Sequence, residues 1–512
     1  MEYKKKLDAY IDSKREEMLE DLKLLVRIDS KKGAPESGKP FGSGPAAVLS
    51  AAGDLMRKCG LSVKNYENYV VTGDLTDAPR GLDILAHLDV VPVTQDWTVT
   101  DPFEPKVVDG RIYGRGTADD KGPAIAALYA LRAIKELGIP MRKSVRLVLG
   151  SDEECGSSDL DYYYGIEQEA PYTFTPDADF PVINIEKGRL EAEFYAEFGE
   201  NGRRKEQCAS AAEHTADGWN ATEAQAPLPR LRSLRSGDKA NVVPGRAVLE
   251  VEGVPEKTVR AVADVVEKET GVRFLIAETD QARNALADGN GTQTDLDGKL
   301  LRIDVCGQAA HASTPQEGKN ALTAALRLVS RLPLTKSDGL DALCSLERLM
   351  PYEDTCGRTL GVCREEEQSG AVTLCFSILD YTPERLSGAF DMRLPIGCTE
   401  ENTKEPIMRQ LGECGIHMKD VPMTKPHYVP GDSDFIKILL ESYERYTGKK
   451  GSPLSTGGGT YVHGLERGVA FGCMSPEVDN HMHGDDEFME IGTLIMSAKI
   501  FADAAVRICN EL

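Results

Sequence analysis

Five short polar stretches hold residues whose types and spacing suit the binding of metal ions. His87-Leu-Asp89 puts an imidazole and a carboxylate on the same side of an extended segment, because alternate residues of a strand share a face. If His87 binds a metal through one ring nitrogen, Asp89 can accept a hydrogen bond from the other and fix the ring. Taken alone, the pair equally describes a buried histidine with a satisfied N–H. Asp119-Asp120 follow a run of glycines and precede a helix, Glu153-Glu154 close a strand, and Asp177 stands just before another. Carboxylates crowded together repel one another and resist burial. A cation is the simplest compensation, and two cations fit if one carboxylate bridges them. Each acid also has a plainer reading: Asp120 as a helix cap, the others as solvated loop residues. His481, His483 and Asp485-Asp486-Glu487 form a polar knot before the last helix, and either histidine could face inward.

These residues need elements to carry them. Leu82 to His87 is a short apolar run that stops at polar residues, as a buried strand does at an active-site edge. Arg111 to Asp120 reads as glycine-rich loop. Ala124 to Leu137 is helical, starting after Pro123 and stopping at Gly138. Val145 to Leu149 is a second strand leading into Ser151-Asp-Glu-Glu154, and Val182 to Ile185 is a third. Strand, helix, strand at this spacing predicts a mostly parallel sheet covered by helices, with ligands gathering beyond the carboxyl ends of the strands. The first 25 or so residues suit one amphipathic helix, and a Gly/Pro/Ser-rich loop from Lys31 to Pro45 leads to another from Ala46 to Cys59.

From about Gly188 the pattern changes to strands at Leu190 to Phe198, Arg246 to Val251, Leu301 to Cys306, Val372 to Leu379 and Gly388 to Arg393. Helices fall at Glu256 to Thr270 and Gly318 to Leu332. This predicts an inserted α+β domain, after which α/β character returns. Phe435 to Tyr446 is helical, Gly457 to Thr460 is a tight loop, and Glu487 to Ile508 is a closing helix. The expected division is 1–186, 187–426 and 427–512, the first and last parts forming one domain.

At 512 residues the chain is too long for one ordinary core, and 41% apolar with 28% charged residues is the composition of a globular protein. A formal net charge of -23 argues against nucleic acid as a partner, since phosphate binding needs a basic surface. No stretch approaches the ~20 apolar residues of a membrane span, and Met1 to Asp8 lacks the apolar segment of a secretory signal. Twelve scattered cysteines without a Cys-x-x-Cys pair are expected to be reduced, mostly buried thiols in a cytoplasmic protein.

Taken in order, Leu85-Ala-His-Leu-Asp-Val-Val-Pro92, Tyr113-Gly-Arg-Gly-Thr-Ala-Asp-Asp-Lys-Gly-Pro123, Ser151-Asp-Glu-Glu-Cys-Gly-Ser157 and Thr175-Pro-Asp-Ala-Asp-Phe-Pro181 resemble the M20 metallopeptidases. Gly307-Gln-Ala-Ala-His-Ala-Ser-Thr-Pro-Gln-Glu-Gly318, Phe390-Asp-Met-Arg-Leu-Pro395 and Gly457-Gly-Gly-Thr-Tyr461 extend the resemblance over nearly the whole chain. The likeness is greatest to the bacterial Xaa-His dipeptidase branch, which is related to carnosinase. It implies a two-domain zinc-exopeptidase fold of the α/β class, with an α/β catalytic domain and an inserted α+β lid domain.

The same resemblance implies a ligand set. Asp119 bridges two divalent metals, His87 and Asp177 complete one site, and Glu154 and His483 complete the other. Zinc is the expected ion, with manganese or cobalt as alternatives. His483 matches through the family's closing pattern, a histidine followed four residues later by glutamate, here Glu487. Glu153 becomes the general base that acts on a metal-activated water, and Asp89 orients His87. A cis peptide between Asp119 and Asp120 is also implied. From the inserted domain the family contributes His311, Asn241 and Arg393. In this reading His311 donates to the oxyanion and Arg393 holds a substrate carboxylate, while the Gly457 to Thr460 loop offers backbone N–H groups to that same carboxylate.

The implied substrate is an unblocked dipeptide, Xaa-His or of broad sequence. The alternatives are a deacylase or aminoacylase acting on N-acyl amino acids, or a catalytically silent binding protein; the full set of ligands and Glu153 argues against silence. A monomer is expected, with a homodimer as the alternative. The stretch 199–235, with Arg203-Arg204-Lys205 and Ala226 to Arg232, is long for the family and reads as a surface excursion or a modifier of access.

Overall fold

The computed structural model describes residues 2–199, 228–278 and 300–512. The chain divides into two compact units, Met1–Glu186 with His427–Leu512, and Lys187–Pro426.

The first unit is built on a nine-stranded sheet. Its order is Ser62–Tyr66, Val70–Asp74, Ser144–Gly150, Arg80–His87, Tyr172–Thr175, Gly468–Ala470, Val182–Glu186 and His427–Tyr428, with Pro453–Thr456 also paired to Val182–Glu186. Arg80–His87 is buried from Gly81 onward, with Leu82, Ile84 and Ala86 in one core and Leu85 in another, which is why its sequence is apolar apart from Asp83 up to His87. Helix Lys121–Glu136 is almost wholly buried, and it packs with Ile491–Glu511 through Ile125, Leu128, Leu494 and Phe501 in the same core as Ile84 and Leu147.

The sheet is mixed rather than mostly parallel. Arg80–His87 runs parallel to both Ser144–Gly150 and Tyr172–Thr175, and Gly468–Ala470 runs parallel to Tyr172–Thr175. Toward one edge, Val70–Asp74 is antiparallel to both of its neighbours. Its pairing with Ser62–Tyr66 is a hairpin closed by Glu67, Asn68 and Tyr69, in which Glu67 and Asn68 take left-handed φ of 52° and 60°.

Other boundaries also differ from those expected. The amino-terminal helix is two helices, Glu2–Ser13 and Arg15–Val26, and the next helix starts at Ser43, with Pro45 in its first turn. Arg111–Tyr113 is a strand rather than loop, held between Lys106–Val108 and Phe488–Glu490. Phe488–Glu490 delays the closing helix to Ile491–Glu511.

The second unit is an eight-stranded antiparallel sheet with helices packed on it. The sheet order is Arg273–Glu278, Leu300–Cys306, Arg246–Glu252, Arg230–Ser236, Thr373–Thr382, Arg385–Leu394, Gly188–Glu197 and His417–Met418. Gly188–Glu197 alternates buried and exposed residues, and its buried Leu190 and Phe194 join Leu249, Ile303, Leu326 and Phe390 in a separate core. Helix Ala321–Arg331 starts later than expected, because the Asn320 side chain caps it by accepting from the N–H groups of Leu322 and Thr323. Helix Asp338–Leu349 and strand Arg230–Ser236 are further elements of this unit. Within the long stretch 199–235, residues 200–227, including Arg203-Arg204-Lys205, lie outside the described residues. The remainder from Arg230 is sheet rather than surface excursion.

The cysteines are not all free thiols. Cys356 and Cys363 form a disulfide, across a turn in which the Asp354 carboxylate accepts the N–H groups of Cys356, Arg358 and Thr359. Their Cα atoms lie 5.0 Å apart, within bonding range. Among the described residues no helix is long and apolar enough to cross a membrane.

Candidate metal centre

In-register parallel pairing sets the ends of neighbouring strands level. His87, the last residue of its strand, lies opposite Gly150, and the chain then turns into Glu153–Cys155. A Cβ at Gly150 would fall on the Tyr461 hydroxyl and the Asp159 carboxylate, so the turn begins where only glycine fits. Buried Asp159 accepts the N–H groups of Ser151 at 2.6 Å and Asp152 at 3.0 Å and the hydroxyl of Tyr461. The Asp89 carboxylate accepts the N–H groups of Glu153 at 3.2 Å and Glu154 at 3.1 Å. Asp89 thus holds the two glutamates by their backbone, and Asp159 holds the two residues before them.

The five expected ligands come together in two groups that share Asp119. His87 Nε2 lies 2.9 Å from Asp119 Oδ1 and 3.6 Å from Asp177 Oδ2. His483 Nε2 lies 2.8 Å from the other oxygen, Asp119 Oδ2, and 3.2 Å from Glu154 Oε1. Ligand atoms bonded at about 2.0–2.2 Å to one tetrahedral ion stand roughly 3.3–3.5 Å apart, so both groups have the dimensions of a coordination shell. Glu154 Oε1 is buried without a well-formed hydrogen bond among the described residues, as an oxygen reserved for a cation would be. The donor set therefore fits two divalent ions with Asp119 between them.

His87 Nδ1 has the Asp89 backbone carbonyl at 3.1 Å and the Asp89 carboxylate at 3.4 Å. The nearer acceptor that orients the ring is thus the main chain of Asp89, and the carboxylate is chiefly occupied with the glutamate turn. A proton on Nδ1 leaves the Nε2 lone pair facing Asp119, the tautomer a metal ligand needs. Asp120 does not cap its helix; its Oδ2 accepts the His87 N–H at 3.0 Å, and the peptide Asp119–Asp120 is cis.

Burial and mutual charge shift every group of the cluster. Burial pushes the carboxyls of Glu153, Glu154 and Asp177 above their ordinary values, and neighbouring carboxylates push in the same direction. Burial also acts to raise Asp119, but His483 and His87 outweigh it and hold that carboxyl below the ordinary range. Hydrogen bonding to Asp119 and Glu154 pushes His483 up to about 10. Burial disfavours the charged form of His87, yet Asp119, Asp177 and Asp89 raise it well above the usual imidazole range.

Sequence reasoning used Glu487 only as part of a spacing pattern. Its side chain is fully buried; Oε1 accepts N–H groups from Gly116 at 3.0 Å, Ala118 at 2.8 Å and Asp119 at 3.2 Å, and Oε2 pairs with Arg115 at 2.6 Å. It therefore fixes the loop that presents Asp119. The preceding turn is strained, with φ of 57° at His481 and 61° at His483. It places His483 in the cluster and His481 against the backbone carbonyl of Asp485. Glu186 was also missed. It is buried and accepts from Thr460 N–H and Oγ1 and from His463 Nδ1, fixing the glycine loop. Because Thr460 N–H goes to Glu186 and Gly458 N–H to Thr456 Oγ1, those two groups of the loop are not donors for a substrate.

In the second unit, Val242–Val243 pairs with Ala310–His311, and Ala312 N–H donates to the Asn241 carbonyl at 2.9 Å. His311 Nδ1 accepts from Ser313, at 2.6 Å from Oγ and 3.2 Å from the backbone N, so its proton resides on Nε2. Burial and then the Arg393 charge lower the His311 pKa. Arg393 is buried, with Nε and Nη2 donating to Asp391, so its guanidinium plane is fixed.

The model of peptidase family M20/M25/M40 matches residues 84–507. The Beta-Ala-Xaa dipeptidase of Lactobacillus delbrueckii subsp. lactis is 30% identical over 509 residues, covering 98% of this chain and 97% of that protein. Human carnosine dipeptidase 1 shares the fold at 16% identity with a TM-score of 0.55, covering 99% of each chain. Aminoacylhistidine dipeptidase from Vibrio alginolyticus does so at 14% identity with a TM-score of 0.53, covering 95% of this chain and 96% of that one. The sequence match and the paired ligand groups on a shared fold lead to one assignment: the chain belongs to peptidase family M20/M25/M40 and is a metallopeptidase.

Proposed function

We propose that this chain is a two-metal dipeptidase that hydrolyses the peptide bond of unblocked dipeptides. In this reading Met1–Glu186 with His427–Leu512 is the catalytic domain and Lys187–Pro426 the inserted lid domain. The observation that carries it is the division of Asp119, one oxygen facing His87 and the other facing His483. The relatives named as dipeptidases support the substrate class.

His87, Asp119 and Asp177 would hold one ion, and Asp119, Glu154 and His483 the other. When bound, a pair of divalent ions supplies Lewis acidity and lowers the pKa of water toward neutrality. Glu153, whose carboxylate lines the same cavity of about 220 Å³ as Asp119, Asp177 and His483, takes the proton of the attacking water and delivers it to the leaving amine. His311, with its proton on Nε2, donates to the developing oxyanion. Arg393 and Asn241 meet the substrate carboxylate, which the Gly457 to Thr460 loop is poorly supplied to do alone.

The test is a mass-spectrometric screen of enzyme reconstituted with zinc, manganese or cobalt against free dipeptides, N-acetyl and C-amide dipeptides, tripeptides and N-acyl amino acids. Free dipeptides should be preferred, because a site built for charged termini discriminates against substrates that leave its groups unpaired. Preferred turnover of N-acyl amino acids would replace the dipeptidase with a deacylase. Elemental analysis of the active form should find two ions per chain.

A further inference from the structure

Asp179 stands apart from the other carboxylates of the cavity. It follows Asp177 by two residues in the strand Ala178–Asp179, which pairs in parallel with Cys473–Met474. It lines the same cavity as Asp119, Glu153, Glu154 and Asp177. Asp119, Glu154 and Asp177 belong to the two ligand groups, and Glu153 is the carboxylate assigned to water; Asp179 belongs to neither. Among the described residues no hydrogen-bond donor or cation is bound to its carboxylate. Ile183, Met474 and Met482 line the cavity with it, and the one cavity-lining side chain able to carry positive charge, His483, is engaged by Asp119 and Glu154. A partly buried carboxylate outside both ligand groups and without a bound donor is incompletely solvated, and an ammonium group on the ligand would compensate it.

Resting on the dipeptidase reading, we propose that Asp179 binds the free ammonium group of the substrate and so makes the enzyme specific for an unblocked amino terminus. Asp177 lies in the bend just before the strand Ala178–Asp179, so the two carboxylates reach one cavity from neighbouring backbone positions. A carbonyl held beside Asp177 thereby brings its amino nitrogen, a few bonds away, to the part of the cavity that Asp179 lines. The apolar residues then receive the side chain of the amino-terminal residue.

The test compares Leu-Ala with 4-methylpentanoyl-Ala, which keeps the size of the dipeptide and lacks only the ammonium, on the wild-type, Asp179→Asn and Asp179→Glu holoenzymes. Metal content and melting temperature are measured for each. In the wild type kcat/KM should favour Leu-Ala by at least roughly a hundred-fold, in line with the discrimination of charge-assisted contacts. Asp179→Asn should cut that preference roughly ten-fold or more, mainly through a higher KM for Leu-Ala, with two ions still bound; Asp179→Glu should restore most of it. If the wild type prefers Leu-Ala and Asp179→Asn keeps the full preference, the assignment is overturned and the dipeptidase reading stands. A wild type that hydrolyses both compounds equally overturns both. Loss of metal from Asp179→Asn and Asp179→Glu alike would make Asp179 a support of the ligand set and overturn the assignment as well.

Discussion

Glu153 is held by its backbone, not by its side chain. Asp89 accepts its N–H, while its carboxylate lines the cavity outside both ligand groups. That arrangement suits a group that must exchange a proton on each turnover, since a carboxylate tied by strong hydrogen bonds is a poor base. Glu153→Gln is isosteric and keeps the backbone contact. It should retain both ions by elemental analysis and lose at least ~100-fold in kcat. Near-normal turnover with two ions bound would remove Glu153 from the reaction. His87 and the Glu153-Glu154 pair were conspicuous in the sequence because they stand where apolar runs end; the full ligand set, with Asp119 as bridge and His483 rather than His481, came from the family resemblance. The double duty of Asp89 was not legible, because a main-chain carbonyl orienting His87 leaves no trace in side-chain types.

The loop from Gly114 to Asp119 has no regular structure of its own, so its shape depends on what it bonds to. Buried Glu487 supplies that, receiving three of the loop's N–H groups and pairing with Arg115. Glu487→Gln would turn an NH₂ toward Arg115 or toward those N–H donors, and either orientation displaces Asp119. Metal affinity should fall by roughly 10–100-fold, the usual cost of losing a group that orients a ligand. Excess metal should recover much of the rate, because Glu153 and the ligands themselves are unchanged. A titration with unaltered metal affinity would reduce Glu487 to a packing role. Separations of some 370 residues explain why this contact was invisible in the sequence beyond the His483 to Glu487 spacing. The same limit hid Arg111–Tyr113, a three-residue strand whose partner Phe488–Glu490 lies at the far end of the chain. Arg230–Ser236 was hidden differently: its three arginines mask the inward-facing Leu231 and Leu234. Arg80–His87 and Lys121–Glu136 were legible because extensive burial leaves long, mainly apolar runs, Ile84 to Ala86 in the strand and Ala124 to Leu131 in the helix.

At the scale of the molecule, the ligand set joins two distant parts of one unit. His87, Asp119, Glu154 and Asp177 come from Met1–Glu186, and His483 comes from His427–Leu512. Ions bound there bind only the folded unit tightly, and so stabilise it by mass action. The size of that effect should depend on pH, and its sign follows from the shifts. Hydrogen bonding to Asp119 and Glu154 raises His483 from 6.5 to about 10, so in the metal-free protein its stabilising contribution is complete below 6.5 and is lost as pH rises toward 10. Glu153, Glu154 and Asp177 are raised by burial; each loses stability as pH rises between its unfolded and its folded value. Asp119 is shifted the other way, and its contribution is lost only in acid. The contribution of the ligand cluster to the metal-free unit should therefore fall from pH 6.5 to 9. Metal binding requires unprotonated imidazoles and carboxylates, so the bound ions should contribute more over the same range. Calorimetric scans with and without chelator should show the gap in melting temperature between metal-loaded and metal-free protein widening with pH. The widening should be confined to the transition of the unit that holds the ligands. A gap that stayed constant or narrowed would mean that protons do not occupy the cluster when the ions are absent.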